Sequence, residues 1–200
     1  MTVIYDREEV LKLQLNSFLE QSLNLPKNDY YSRLDLNGFL RLKSVLSDIN
    51  NIFTLKVSFA FARWVTDHLS LSQEATEMIV SQILDTKPNA NGYDIELSEP
   101  VKLIAEVKCN IPINGGSVYG SAQKNGIAKD IKSLINGKSK SAIKPDEYFK
   151  FMVFLDKPEI RQATKHFVKN MKEGKELISF VDNKSKIGTT KNIYVVYVEF

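Results

Sequence analysis

The sequence predicts an α/β protein in which a mixed β-sheet flanked by helices follows a mostly helical N-terminal part. Up to about residue 90, apolar residues recur at the spacing of amphipathic helices. Beyond that point, short apolar or alternating runs typical of strands alternate with helical runs in the order β-β-α-β-α-β-β. Such alternation is typical of a sheet covered by helices. We therefore predict a helical subdomain over residues 1–70 and an α/β domain over residues 71–200.

Three helical stretches are predicted in the N-terminal part. Asp6 and Glu9 form a capping-box pattern at the start of the first stretch. The second covers Leu36–Ile49, and a pair of asparagines separates it from the third, Ile52–Leu69. Residues 54–61 also alternate like a strand, although a helix is the favoured interpretation. The stretches carry more bulky apolar residues than one small sheet needs to cover it. This surplus favours core packing or a subunit interface, and we predict a homodimer.

A β-hairpin is predicted after residue 92, from two alternating runs, Tyr93–Leu97 and Val101–Val107, joined by a short turn. Successive side chains of a strand point to opposite faces. If the apolar faces of the two strands match, Asp94, Glu106 and Lys108 share the other face. Directly opposite residues are then about 5 Å apart and diagonal ones about 7–8 Å. Two carboxylates and an ammonium group on one patch of sheet indicate a chemical role.

The chemistry of this patch suits a hard cation. Mg²⁺ prefers oxygen ligands, keeps several waters and needs only one or two carboxylates from the protein. Asp94 and Glu106 fit that role, with the backbone carbonyl of Val107 as a further ligand. A metal there would acidify a bound water and screen the charge of a phosphate under attack. Lys108, on the same face, is placed to orient that water or to help deprotonate it.

Further elements are predicted on both sides of the hairpin. Ser72 is a good N-cap for a helix that runs to about Asp85. After the hairpin, a glycine-rich connection over 110–120 leads to a helix that Ser121 is expected to cap. The nearly all-apolar run Tyr148–Leu155 is typical of a central strand covered on both faces. A helix from Pro158 and two strands, over 177–181 and 193–200, complete the chain.

The hairpin pattern resembles the PD-(D/E)xK, or restriction-endonuclease-like, nuclease superfamily. The matching residues are Asp94, then eleven residues, then Glu106, Val107 and Lys108. Tyr93 stands where the family often has proline. The resemblance covers about residues 72–155 and implies a restriction-endonuclease-like fold. It also implies hydrolysis of DNA phosphodiester bonds with Mg²⁺, or with Mn²⁺ as a substitute, most like the type II restriction endonucleases.

The resemblance implies two additions to the site. Members often carry an acidic residue on the helix before the hairpin, for which Glu77 is the candidate metal ligand and Glu74 the second choice. A surface glutamate without a role is the more common situation for either. The helix after the E-x-K strand often supplies a glutamine or a lysine to the active site. This feature implies a role for Gln123, for Lys124 or for both, and we take Gln123 as a catalytic candidate.

Positive charge is concentrated after the hairpin. The chain has a net charge of +3, and residues 90–200 hold 18 Lys and Arg against 13 Asp and Glu. Six lysines and one aspartate lie within 109–144. Such a stretch favours a polyanion such as double-stranded DNA, although a solvated lysine-rich surface gives the same pattern. The expected DNA contacts are Asn110, Lys124, Lys138, Lys140 and Lys144.

The composition of the chain indicates where in the cell the protein is expected, but it leaves several functions open. A single cysteine, the absence of a signal-peptide pattern and the lack of long apolar runs predict a cytoplasmic protein without a membrane segment. Cys109 is expected to be a buried apolar thiol and not a nucleophile. The alternatives to a restriction enzyme are a DNA-repair or structure-specific nuclease and a non-catalytic nucleic-acid-binding protein of the same fold. A small-molecule or protein-binding domain with an accidental motif is a further alternative.

Overall fold

A mixed five-stranded β-sheet with strand order β1-β2-β3-β5-β4 lies in the second part of the chain. The computed structural model describes residues 5–87, 92–113, 116–182 and 185–200. The strands are β1 (Ile95–Leu97), β2 (Leu103–Lys108), β3 (Phe149–Leu155), β4 (Ile178–Phe180) and β5 (Ile193–Val198). Only the β1–β2 pair is antiparallel among these neighbours. The predicted α/β class with a mixed sheet is confirmed, while the restriction-endonuclease-like assignment stays a prediction.

Five α-helices accompany the strands in the described part of the chain. They are α1 (Arg7–Ser22), α2 (Leu36–Leu69), α3 (Gln73–Asp85), α4 (Ser121–Asn136) and α5 (Pro158–Lys169). Short 3₁₀ turns cover Tyr31–Arg33, Pro145–Glu147 and Lys175–Leu177. Across the described ranges, none of the helices combines the length and apolar character that crossing a membrane requires. The predicted helical N-terminal part is confirmed.

The chain forms two compact units, Met1–Ile49 and Asn50–Phe200. In the first unit, the Asp6 side chain caps α1 by accepting hydrogen bonds from the amides of Glu8 and Glu9, at 2.9 and 3.1 Å. The described residues of α1 include none that is buried. Large apolar side chains are exposed throughout this unit, namely Leu11, Leu13, Phe18, Leu23, Leu25, Leu36, Phe39, Leu40, Val45 and Leu46.

Helix α2 is continuous over 34 residues, so the predicted break at Asn50-Asn51 is wrong. Residues 54–61 are helical, as favoured. An asparagine costs only about 0.7 kcal/mol relative to alanine in a helix, which packing of the following turns outweighs. Val57, Phe61 and Val65 are fully buried, and the Phe61 ring lies 5.0 Å from that of Phe151 on β3. Because these residues belong to the core of the second unit, the unit boundary precedes the predicted boundary at residue 70.

The hairpin pairs as the alternation predicts, with Ile95 opposite Ala105 and Leu97 opposite Leu103. Its strands are shorter than the predicted runs Tyr93–Leu97 and Val101–Val107. On the outer side of β1, the amide of Glu96 donates to the Gln82 side chain of α3 at 3.3 Å, so α3 covers part of that edge. The predicted connection over 110–120 includes Asn114 and Gly115, which lie outside the described residues.

One face of β2 carries the charged residues of the candidate site. Ile104, Glu106 and Lys108 share that face, because every second residue of a strand points the same way. The parallel register places Glu106 beside Met152 and Lys108 beside Phe154 of β3. Helix α4 packs against this region through the buried Ile127, Ile131 and Leu134. Charged side chains of β2 are therefore held between an apolar strand and a helix, where water is largely excluded.

Candidate active site

Asp94 lies at the start of β1, next to the E-x-K segment. Its Oδ2 accepts a hydrogen bond from the amide of Val107 at 2.7 Å. Extending the register from the Ile95–Ala105 pair places Asp94 opposite Glu106. The negative charge of Asp94 raises the pKa of both Glu106 and Lys108, as expected for close neighbours. The structure thus brings Asp94, Glu106 and Lys108 together at one end of the hairpin.

Glu106 is a buried carboxylate in a negative environment. The residue is only 4% exposed. Burial and, after it, the charge of Asp94 raise the pKa of Glu106 to about 7. The ion pair with Lys138, whose Nζ lies 2.5 Å from Oε1, opposes this shift without overcoming it. A carboxyl group with such a pKa changes its charge near neutral pH.

Lys138 contacts the site and does not project into solvent as a free phosphate contact. It follows the end of α4, pairs with Glu106 and donates a 2.5 Å hydrogen bond to the carbonyl of Gly92. Its Nζ also lies 4.8 Å from the centroid of the Tyr93 ring. The expectation that Lys138 contacts DNA stays a prediction, and in this structure its ammonium is engaged inside the protein. By contrast, Lys140 and Lys144 are exposed and Lys124 is half-buried.

Asp130 is a site residue that sequence reasoning missed. Its carboxylate forms a close ion pair with Lys108, and both side chains are largely shielded. Burial alone would lower the pKa of Lys108, but the charges of Asp130 and the two hairpin carboxylates outweigh it, so the pKa is raised. The available signal was the position of Asp130, a lone acid among lysines directly before the inward-facing Ile131.

A cavity of about 230 Å³ opens beside Lys108. It is lined by Lys108, Asn110, Ala122, Gln123, Gly126 and Ile127. Three residues predicted for the site, Lys108, Asn110 and Gln123, therefore share one cavity. A Cβ built on Gly126 would meet no atom within 4 Å. Close packing on the sheet does not explain this glycine, which instead leaves the cavity wall open.

Gln123 holds the start of α4 in place. Its Oε1 accepts from the amide of Gly120 at 3.0 Å, and its Nε2 donates to the carbonyl of Ile111 at 2.8 Å. Gly120 is the N-cap and Ser121 the first helical residue, so the predicted cap at Ser121 is wrong by one position. A Cβ on Gly120 would meet the end of the exposed Ile113 side chain. Both polar ends of Gln123 are engaged in this anchoring.

Glu77 is not gathered with the hairpin carboxylates. It is exposed on α3, where it accepts a 3.2 Å hydrogen bond from Gln73, and Glu74 is exposed as well. Within the described ranges, no group of three or more His, Cys, Asp or Glu side chains is close enough to hold a metal ion. The candidate metal ligands that the structure does place together are the Asp94 and Glu106 carboxylates.

The chemistry of these donors fits a divalent cation of the Mg²⁺ type. Such an ion needs only one or two carboxylates and completes its shell with water. Oε1 of Glu106 is shielded from solvent, and the Lys138 ammonium lies 2.5 Å from it in a geometry that falls short of a good hydrogen bond. A metal bond would satisfy this oxygen more fully. The residues present therefore fit the metal that the sequence pattern implies.

Cys109 is unsuited to nucleophilic chemistry. It is half-buried at the end of β2. Burial, partly offset by a hydrogen bond with Thr54, raises the pKa of its thiol to about 11. At neutral pH the group is protonated, and a thiol reacts only through its thiolate.

Comparisons with protein-family models, with curated proteins and with solved structures find no match for this chain. Its function is therefore inferred from its own residues and their geometry.

Proposed function

We propose that this chain is a metal-dependent endonuclease that hydrolyses phosphodiester bonds of double-stranded DNA, as type II restriction endonucleases do. The observation that carries the proposal is the buried Glu106 carboxylate beside Asp94, with one oxygen lacking a good hydrogen bond. Burying Glu106 beside the half-buried Asp94 is unfavourable unless a cation compensates the two charges. A binding surface for DNA has no need of such a pair, since carboxylates repel phosphates.

Each residue has a separate role in this proposal. Asp94 and Glu106 would hold Mg²⁺, with the Val107 carbonyl as a third protein ligand. When bound, the metal supplies Lewis-acid activation of water and screening of the phosphate. Lys108 keeps its proton at neutral pH because its neighbours raise its pKa. It therefore acts as a hydrogen-bond donor that orients the attacking water and stabilises negative charge, and not as a base.

Asp130 and Gln123 position these groups. Asp130 holds the Lys108 ammonium through the ion pair from α4. Gln123 fixes the first turn of α4 against the connection that leaves β2. Because the cavity lies next to Lys108 and is lined by Asn110 and Gln123, it is where the DNA backbone flanking the scissile phosphate would lie.

Cleavage of supercoiled plasmid DNA in Mg²⁺ tests the proposal. Asp94→Asn and Glu106→Gln keep shape but remove a metal-binding charge. Each should abolish detectable cleavage, while DNA binding in a mobility-shift assay stays equal or tightens because fewer negative charges face the phosphates. Glu96→Gln is the matched control. Glu96 lies on β1, two residues after Asp94, and its variant should cut at the parental rate. If Glu106→Gln cuts DNA as fast as the parent protein, the hairpin is not a catalytic centre.

A non-catalytic nucleic-acid-binding protein of this fold is the second candidate. The observation that favours it is the pairing of Glu106 with Lys138, which neutralises the carboxylate without a metal. Salt-sensitive DNA binding with no cleavage in Mg²⁺ or Mn²⁺ would select this function. Cleavage restricted to branched or damaged duplexes would instead select a repair or structure-specific nuclease.

A further inference from the structure

The Lys138 ammonium is held by the kinds of atoms that hold a metal ion. One carboxylate oxygen, Glu106 Oε1, and one carbonyl oxygen, that of Gly92, each lie 2.5 Å from its Nζ. Hard oxygen donors of these two types are the preferred ligands of Mg²⁺ and related cations. The Tyr93 ring covers the same ammonium, with its centroid at 4.8 Å. A single positive charge therefore sits at the buried carboxylate that the metal would need.

The contact with Glu106 is incomplete. Oε1 has the ammonium beside it, yet within the described residues the geometry does not amount to a hydrogen bond. A flexible lysine neutralises the charge of a buried carboxylate, but the ion pair offsets only part of the free energy lost when the carboxylate is removed from water. A dication bound to the same oxygen would compensate more charge at a shorter distance. The lysine and the metal would compete, because two cations so close repel strongly where water is excluded.

The chain position of Lys138 allows it to leave. It follows Gly137, which ends α4 with a φ of 86°, a conformation that favours glycine. Its ammonium stands on a four-carbon stem with several rotatable bonds, and the side chain keeps 21% of its surface exposed. A rotation of the stem would therefore bring the ammonium into solvent without unfolding of the helix.

We propose that Lys138 is a resident counter-ion of the Asp94–Glu106 pair, and that a divalent cation binds by displacing it. The proposal rests on the proposed function, since it places the metal at those two carboxylates. Without metal, Lys138 keeps the buried acid compensated and the site folded. With metal, the ammonium is released toward the surface beside the exposed Lys140.

Mn²⁺ binding, measured by electron paramagnetic resonance of the free ion, tests the proposal on the whole chain. Lys138→Met keeps an unbranched apolar side chain of similar length and removes the competing charge. It should lower the dissociation constant for Mn²⁺ about tenfold or more, the size of effect expected from a charge within about 4–6 Å. Lys132→Met removes an exposed lysine of α4 and the same net charge. This control should bind Mn²⁺ as the parent does.

The outcomes separate the two proposals. Equal Mn²⁺ affinity of the parent and of Lys138→Met, with loss of binding in Glu106→Gln, would overturn the counter-ion role and leave the metal site standing. No Mn²⁺ binding by either the parent or Lys138→Met would overturn both. Binding by Lys138→Met alone would support the counter-ion role in its strongest form.

A second measurement needs no variant and covers the case in which Lys138→Met fails to fold. An amine-acetylating reagent is applied to the parent protein with and without Mn²⁺, and modified lysines are quantified by mass spectrometry. Acetylation of Lys138 should rise several-fold on adding Mn²⁺, while Lys132 stays unchanged. Equal or reduced labelling of Lys138 in Mn²⁺ would contradict its displacement.

Discussion

Glu106 combines burial with a neighbouring negative charge, and both oppose its ionisation. Its alternation with Lys108 on β2 could be read from the sequence, as could its position opposite Asp94. The two residues that complete its surroundings could not. Asp130 and Lys138 reach the hairpin because α4 packs on β2 with a particular rotation about its own axis. That rotation depends on how side chains from segments far apart in the sequence pack together. Lys138 was expected to contact DNA because a lysine in a polar loop is usually exposed.

The raised pKa of Glu106 predicts a pH-dependent stability. A carboxyl whose pKa rises from 4.5 in the unfolded chain to about 7 in the fold binds its proton more tightly when folded. Its contribution is fully present below pH 4.5 and is lost as pH rises through about 7. The loss should be about 3 kcal/mol in the free energy of unfolding. Urea denaturation of the parent and of Glu106→Gln, in a metal chelator at several pH values, measures it.

Because all other groups are common to both proteins, the difference between the two unfolding free energies isolates Glu106. The parent should lose stability relative to the glutamine variant across that pH window. A difference that stays constant with pH would mean that Glu106 ionises in the fold as it does in water.

At the level of elements, the hairpin and the helices that flank it could be predicted because their signals are local. The alternation of apolar and polar residues predicted the pairing of β1 with β2. Ser72 caps α3 and Pro158 begins α5, as expected. The long helix α2 could not be predicted, because two asparagines look like a boundary until burial of Phe61 is taken into account. The start of α4 was predicted one residue too late, because Gly120 has no capping side chain and its amide is satisfied by the Gln123 side chain instead.

Gly126 predicts a stabilising substitution in α4. An alanine in place of a helical glycine gains about 1 kcal/mol, mainly by restricting the unfolded chain. The added methyl group meets no atom within 4 Å, so nothing opposes the gain. Thermal and urea unfolding of Gly126→Ala should therefore show higher stability. Gly120→Ala is the contrasting variant, because Gly120 is the N-cap of α4 and alanine is a poorer N-cap than glycine, so it should be less stable than the parent. A destabilised Gly126→Ala would show that the open wall of the cavity is required for folding.

For the whole molecule, charge distribution predicts how DNA binding depends on salt. Lys124, Lys140 and Lys144 remain the candidate phosphate contacts once Lys138 is assigned to Glu106. Each lost contact should reduce the slope of log K against log salt by about 0.9. The triple alanine variant should therefore flatten the slope by about 2.7 and weaken binding. Fluorescence anisotropy of a labelled duplex between low and moderate salt measures both.

A charge-matched variant controls for net charge. Alanines at Lys165, Lys169 and Lys172, all exposed and in or just after α5, remove the same three charges from another region. Its slope should stay near that of the parent. Equal slopes for all three proteins would mean that the lysines after the hairpin are solvated surface residues that do not contact phosphates.

The exposed apolar side chains of the first unit predict a homodimer. Leu13, Leu40 and Val45 are each more than half exposed, which is unfavourable unless a partner covers them. Sedimentation velocity at micromolar concentration should show a dimer for the parent and a monomer when all three are replaced by glutamate. Leu84→Glu, an exposed position on α3, should leave the dimer intact. A monomeric parent, with and without DNA, would contradict the prediction.

Both outer strands of the sheet, β1 and β4, are only three residues long. On β1, Gln82 already accepts the hydrogen bond of the Glu96 amide. A sheet pairs with a further strand through the unpaired backbone N–H and C=O groups of its edge strands. The edge strands of this sheet are short and offer few such groups. Copies of the chain should therefore join through helical surfaces, and fibrous stacking of sheets should be slow even in concentrated solution.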